Sequence, residues 1–101
     1  MIISSVRFRV ALGKNPEALE YFGRLTKHLK KITGADYNAY TQLAGPVGHF
    51  LVSARFDSIA AWDSARSKIS TDPEFNKLAI KAAEDGLFIQ GSVETAIWQE
   101  V

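Results

Sequence analysis

Apolar and polar residues alternate one by one near the start of the chain. Between Ile2 and Leu12, Val6, Phe8 and Val10 take one side and Ser5, Arg7 and Arg9 the other, the period of a half-buried strand. Gly13 breaks the pattern, and Asn15 then stands before Pro16 and Glu17, a cap followed by proline at the first helical position. Ala18, Phe22, Leu25, Leu29 and Ile32 recur at spacings of four and three, predicting an amphipathic helix from Pro16 to about Thr33, with Gly34 as its left-handed end. Two strand-like runs follow, Asp36 to Leu43 and His49 to Phe56, and the glycine- and proline-rich break between them predicts a hairpin. Centring the turn on Gly45-Pro46 sets Ala39 opposite Val52 and Tyr37 opposite Ala54. Asp57 or Ser58 is positioned to cap a helix carrying Ile59, Trp62, Ala65 and Ile69. A second capping signal, Thr71-Asp72-Pro73-Glu74, opens a helix with Phe75, Leu78, Ala79 and Ala82 inward and Gly86 at its end. The last strand is expected from about Phe88 to Val101, with Gly91 marking a bulge or a close backbone approach. Beyond Gly91, Val93, Thr95 and Ile97 oppose Glu94, Ala96 and Trp98.

Strand, helix, strand, strand, helix pair, strand is the ferredoxin-like βαββαβ order of an α+β fold, and residues 1–101 are expected to form a single domain. Helices on one face of a four-stranded antiparallel sheet would cover Val6, Phe8, Val10, Val52 and Phe56. The other face would carry Arg7, Arg9, Tyr40, Leu51, Arg55 and Trp98, too polar for a dry core and richer in large side chains than a plain solvent face needs. A mixed surface of this kind predicts a homodimer through the sheet face. The first and last strands should be neighbours, which offers Glu94 and Glu100 to Arg7 and Arg9.

Composition narrows the partners. Twelve basic residues face eleven acidic ones, and a net charge of +1 supplies no field for nucleic acid or an anionic membrane surface. The local excess at Lys27, Lys30 and Lys31 reads as a solvated helix face. No cysteine is present, which excludes disulfides, thiolate nucleophiles and cysteine-ligated metals. No secretory pattern or long apolar run is found, so a cytoplasmic location is expected, and no metal or other cofactor is expected.

Several side chains are candidates for chemistry. His28 lies on the flank of the first helix's apolar stripe, with Tyr21 two turns earlier on nearly the same line. A neutral imidazole there suits a general base, whereas the plainer reading is a flank histidine hydrogen-bonded or reaching water. Tyr37 and Thr41 should point from the second strand toward the helices beside Ala39 and Ala54, where small neighbours leave room for a ligand. Tyr37 would position a substrate hydroxyl or carbonyl, or serve as a core tyrosine with its hydroxyl at the edge. Trp62 would wall a pocket for a flat ligand or anchor its helix to the sheet. His49 falls opposite Gln42 on the uncovered face, a barrel-rim or interface position. Arg55 and Arg9 would make an anion site there if their charges are not spent on Glu94, Glu100 or Asp36, and cross-strand ion pairing is the competing use.

At Phe56-Asp57-Ser58-Ile59-Ala60-Ala61-Trp62 and Asp72-Pro73-Glu74-Phe75 the chain resembles the dimeric α/β-barrel superfamily, and looks most like small NIPSNAP-type and antibiotic-biosynthesis-monooxygenase-type domains. The resemblance implies a homodimer whose sheets face each other as a barrel, and a pocket in each subunit between helices and sheet. It also implies functions as varied as cofactor-free oxygenation of quinol-like aromatics and haem degradation, so fold does not choose among them. Haem degradation fits poorly: Trp62 matches in kind, but no histidine lies between Ser58 and Gly86, and Arg7 and Arg9 stand where an asparagine is sought. Two functions follow. One is a cofactor-independent, monooxygenase-like enzyme acting on an aromatic or carbonyl compound, with His28 and Tyr37 catalytic and Tyr21, Thr41 and Trp62 lining the pocket. The other is a non-catalytic dimeric module of the NIPSNAP-like type that binds a small ligand or a partner.

Overall fold

The computed structural model describes residues 1–101. Its elements are β1 (Ile2–Arg9), α1 (Asn15–Thr33), β2 (Tyr37–Thr41), β3 (His49–Phe56), α2 (Ile59–Ser70), α3 (Pro73–Glu84) and β4 (Glu94–Gln99). The strands form one antiparallel sheet in the order β2-β3-β1-β4, the ferredoxin-like α+β arrangement predicted from the element order. Ala39 lies opposite Val52 and Tyr37 opposite Ala54, the register expected for the hairpin.

The element ends show where local chemistry departs from the sequence pattern. Asn15 is the first helical residue of α1 rather than its cap; Lys14 holds the cap position and makes no side-chain cap bond. The Lys14 N–H donates to the Ala11 carbonyl and the Ala18 N–H to the Lys14 carbonyl, so a tight turn runs straight into the helix. Gly34 ends α1 at φ +79°, donating its N–H to the Lys30 carbonyl. Ser58 caps α2 by accepting the Ala61 N–H at 3.1 Å. Asp72 caps α3 by accepting the Phe75 N–H at 2.8 Å.

β2 ends at Thr41, two residues short of expectation; the Gln42 N–H still donates to the His49 carbonyl, and in the turn that follows the Gln42 side chain donates to the Ala44 carbonyl. β4 is shorter as well. Phe88 bridges to Val10, and the chain then turns through Gly91 at φ +76° before β4 begins. Gly91 is therefore a left-handed turn residue, not a bulge within a long strand.

Two apolar clusters hold the helices to one sheet face. Ala18, Phe22, Leu25 and Leu29 of α1 pack with Val10, Phe50 and Val52, with Phe8 against them. Phe22 stacks on Phe50 at 5.1 Å between ring centroids and meets Phe8 edge-on at 5.2 Å. Ile2, Ala54 and Phe56 pack with Ala65 of α2, joined by Trp62, Tyr37 and Ile97. From α3, Ala82 is buried and Phe75 and Leu78 pack on the first cluster, whereas Ala79, expected inward, is exposed. No helix is long and apolar enough to cross a membrane.

Candidate functional site

The helix–sheet side offers no single cleft that gathers the candidate residues. Phe22, Leu25 and Val52 are buried together with Phe8 packed on them, which closes the middle of that layer. Tyr37 and Thr41 do share a groove, of about 360 Å³, between α1 and β2, lined also by Leu19, Phe22 and Thr26. Tyr21 lies apart, on a groove of about 320 Å³ with Glu17, Arg24 and Leu78, its ring edge-on to Phe22 and Phe88. Burial pushes both phenols above their ordinary pKa; for Tyr37 a hydrogen bond with Thr33 works the other way. Trp62 is half-buried against the second cluster, and the Arg66 guanidinium sits 5.4 Å from its ring centroid. His28 and Trp62 line none of the five principal cavities.

His28 has a partner that its own helix does not reveal. Its Nε2 lies 2.6 Å from Asp72 Oδ2, and both side chains are 18% exposed. Asp72 thus does two things: it caps α3 and ties α3 to α1. The His28 hydrogen bond, followed by the Phe75 N–H, holds the Asp72 carboxyl below its ordinary pKa. The sequence marks Asp72 as a cap, but nothing local in it shows a partner 44 residues away.

The largest concavity, about 740 Å³, lies on the opposite, helix-free face of the sheet. The strand registers order its side chains in rows. Arg55, Ile3 and Trp98 lie side by side on β3, β1 and β4. Asn38, Ser53, Ser5 and Ala96 form the next row, and Tyr40, Leu51, Arg7 and Glu94 the one after. A row of small, mostly polar residues between two rows of large ones makes a trough running across the strands. The indole N–H of Trp98 donates to Ser5 Oγ at 3.3 Å, and Ser5 Oγ donates to the Ala96 carbonyl at 3.4 Å, which steadies one wall against the floor.

The charges around the trough are unequally occupied. Arg7 faces Glu94 at 3.8 Å, the pairing expected from adjacency of the outer strands. Glu100 does not reach Arg9: β4 runs antiparallel to β1 and sets Glu100 beside Met1, at the other end of the strand. Asp36 pairs with Lys30 at 2.7 Å rather than with an arginine. Arg55 has no ion-pair partner within the chain. The trough floor, Asn38, Ser53 and Ser5, is a feature the sequence reading did not single out; laying the predicted hairpin register across all four strands would have exposed it.

Solved structures share this architecture. A NIPSNAP domain protein from Burkholderia xenovorans superposes with a TM-score of 0.81 at 16% identity, covering 100% of this chain and 95% of that one. A NIPSNAP family protein from Agrobacterium tumefaciens gives 0.80 at 18% identity, covering 99% and 92%. An antibiotic biosynthesis monooxygenase gives 0.71 at 14% identity, covering 100% and 99%. No curated protein matches the chain. The NIPSNAP family model matches residues 5–98, nearly the full length, and the chain therefore belongs to the NIPSNAP family.

Proposed function

We propose that this protein is a homodimeric small-molecule-binding module whose two helix-free sheet faces close on each other and enclose the ligand. The observation that carries the reading is the 740 Å³ trough on that face, set against a helix–sheet layer closed by Phe22, Leu25 and Val52. A face of mixed character with Trp98 61% and Tyr40 52% exposed is costly to leave in water and too polar to be a dry core. Pairing two such faces covers the aromatics and leaves the polar floors lining an internal space. Sedimentation at micromolar concentration tests the assembly, and a monomer there ends the reading. Incubation with quinol-like and carbonyl compounds should show no turnover.

A second, enzymatic reading draws on the fold shared with an antibiotic biosynthesis monooxygenase and on the His28–Asp72 pair. A carboxylate that orients an imidazole is one arrangement that supports a general base. On this reading Tyr37 orients an oxygen of an aromatic or carbonyl substrate in the groove it shares with Thr41, and His28, which does not line that groove, would have to accept the proton from outside it. Turnover of a quinol-like aromatic that disappears in His28→Ala would establish it. Turnover that survives that substitution would remove His28 from any mechanism.

A further inference from the structure

We infer that the trough on the helix-free face takes a flat aromatic carboxylate, with Arg55 as the anchor of its anionic end. This inference deepens the proposed binding function and rests on that reading for the location of the site.

Three observations set the ligand's chemistry. The first is charge. Around the trough, Arg7 faces Glu94 and Asp36 faces Lys30, while Arg55 has no carboxylate partner in the chain. A guanidinium in a concavity that a second sheet would cover must meet an anion or stay solvated at a cost. Its planar fork matches a carboxylate through two parallel hydrogen bonds.

The second is shape. The rows that wall the trough lie four residues apart along each strand, about 13 Å of backbone. The floor of Asn38, Ser53 and Ser5 carries small, polar side chains across three adjacent strands. Small side chains between two rows of large ones leave room for a planar ring system lying along the floor.

The third is the placement of apolar and polar groups. Arg55 and Trp98 stand in the same row, separated by Ile3. A ligand whose carboxylate meets Arg55 would have its rings between Ile3 and Trp98 on one side and Leu51 and Tyr40 on the other. Ser53 and Asn38 beneath supply polar groups for a ring hydroxyl or carbonyl.

The test uses naphthalene carboxylate and its neutral counterpart naphthol as probes, titrated calorimetrically into the full chain, with sedimentation run on the same samples. Naphthalene carboxylate should bind at least about ten-fold more tightly than naphthol. Arg55→Gln should erase that preference while the sedimentation coefficient stays unchanged, and Arg55→Lys should restore part of it. Lys77→Gln, which removes an equal charge from the exposed side of α3, away from the helix-free face, should leave both affinities as they were. Equal binding of the two probes, no binding of either, or an unchanged preference in Arg55→Gln overturns the inference. Dissociation of the dimer by Arg55→Gln also overturns it, since Arg55 would then be paired across the interface. A monomer that still prefers the carboxylate through Arg55 would end the dimer reading and leave this one standing.

Discussion

Trp98 is where the proposed association can be tested most sharply. It lies on β4, the edge strand beside β1, and is 61% exposed in the single chain. A tryptophan presents up to about 250 Å², so roughly 150 Å² of it remains for a second sheet to cover. At about 25 cal/mol per Å² that is close to 4 kcal/mol for each copy. A two-fold interface uses the residue twice, which doubles the figure, whereas incomplete coverage and relaxation around the truncated side chain reduce it. Taking about half of the doubled figure, Trp98→Ala should weaken the dimer by about 4 kcal/mol, close to a thousand-fold in Kd. Sedimentation equilibrium over a wide concentration range would measure this, with circular dichroism verifying that the sheet is retained. The loss of the Trp98–Ser5 hydrogen bond at 3.3 Å falls on an exposed pair and should cost the monomer little. Leu12→Ala is the control, because Leu12 is fully exposed in the turn after β1 and off the sheet. Dissociation constants for wild type and Trp98→Ala within about three-fold of each other would refute the reasoning, because an uncovered indole is the one way to lose nothing by its removal.

Other substitutions probe the scaffold and the helix latch. Phe22→Ala should destabilise the chain by about 3–5 kcal/mol in urea unfolding, since Phe22 is 2% exposed and touches Phe8, Phe50 and Phe88; a loss below about 1 kcal/mol would mean the cluster collapses freely around the gap. Gly34→Ala and Gly23→Ala should differ in sign although neither new methyl meets an atom within 4 Å. Gly34 holds φ +79°, so alanine there costs about 1 kcal/mol, while Gly23 sits inside α1, where alanine contributes about 0.5–1 kcal/mol. Matching signs in thermal melts would contradict this. Asp72 has a folded pKa below its ordinary 3.8, so its contribution is present above that value and fades as pH falls through and below it. Asp72→Asn keeps a capping side chain and removes the ionisation, so its melting temperature should fall less steeply with acid than that of wild type; parallel curves would show that the His28 contact does not depend on the charge.

The fold was legible because each step in it is local or pairwise. Alternation assigns the two faces of β1 and β3, spacings of three and four assign the buried stripe of α1, and the Gly45-Pro46 break fixes the β2–β3 register. What the pattern misplaced lies at ends, where glycine turns take over from the ladder. The turn through Gly45 and Gly48 follows β2 early, and the turn through Gly91 shortens β4. Ala79 illustrates a different failure. Alanine sits equally well on either side of a helix, so its apolar character carried no information about which way α3 rolls; Leu78 and Ala82 carried it.

The site was less legible because a cavity is a property of several elements at once. Tyr21 and His28 share a line on α1, yet seven residues span about 10 Å along the axis, and each meets a different neighbour: Tyr21 the Phe88 segment, His28 the cap of α3. No periodicity within α1 distinguishes these surroundings, since they are set by how α3 packs on α1. The helix-free face is the opposite case. Its side chains come from strands whose registers follow from one hairpin and one adjacency, so parity alone gathers Arg55, Ile3, Trp98, Tyr40 and Leu51 on it. The trough arises one step later, from the size of residues in adjacent rows. A row of serines and asparagine is unremarkable in each strand read separately and becomes a floor only when four strands are aligned. Two features follow from that alignment together: a surface with exposed aromatic side chains, and a polar hollow between them. The same geometry therefore underlies both the proposed dimer and the proposed ligand, and Trp98 and Arg55, in one row but differing in chemistry, separate the two experimentally.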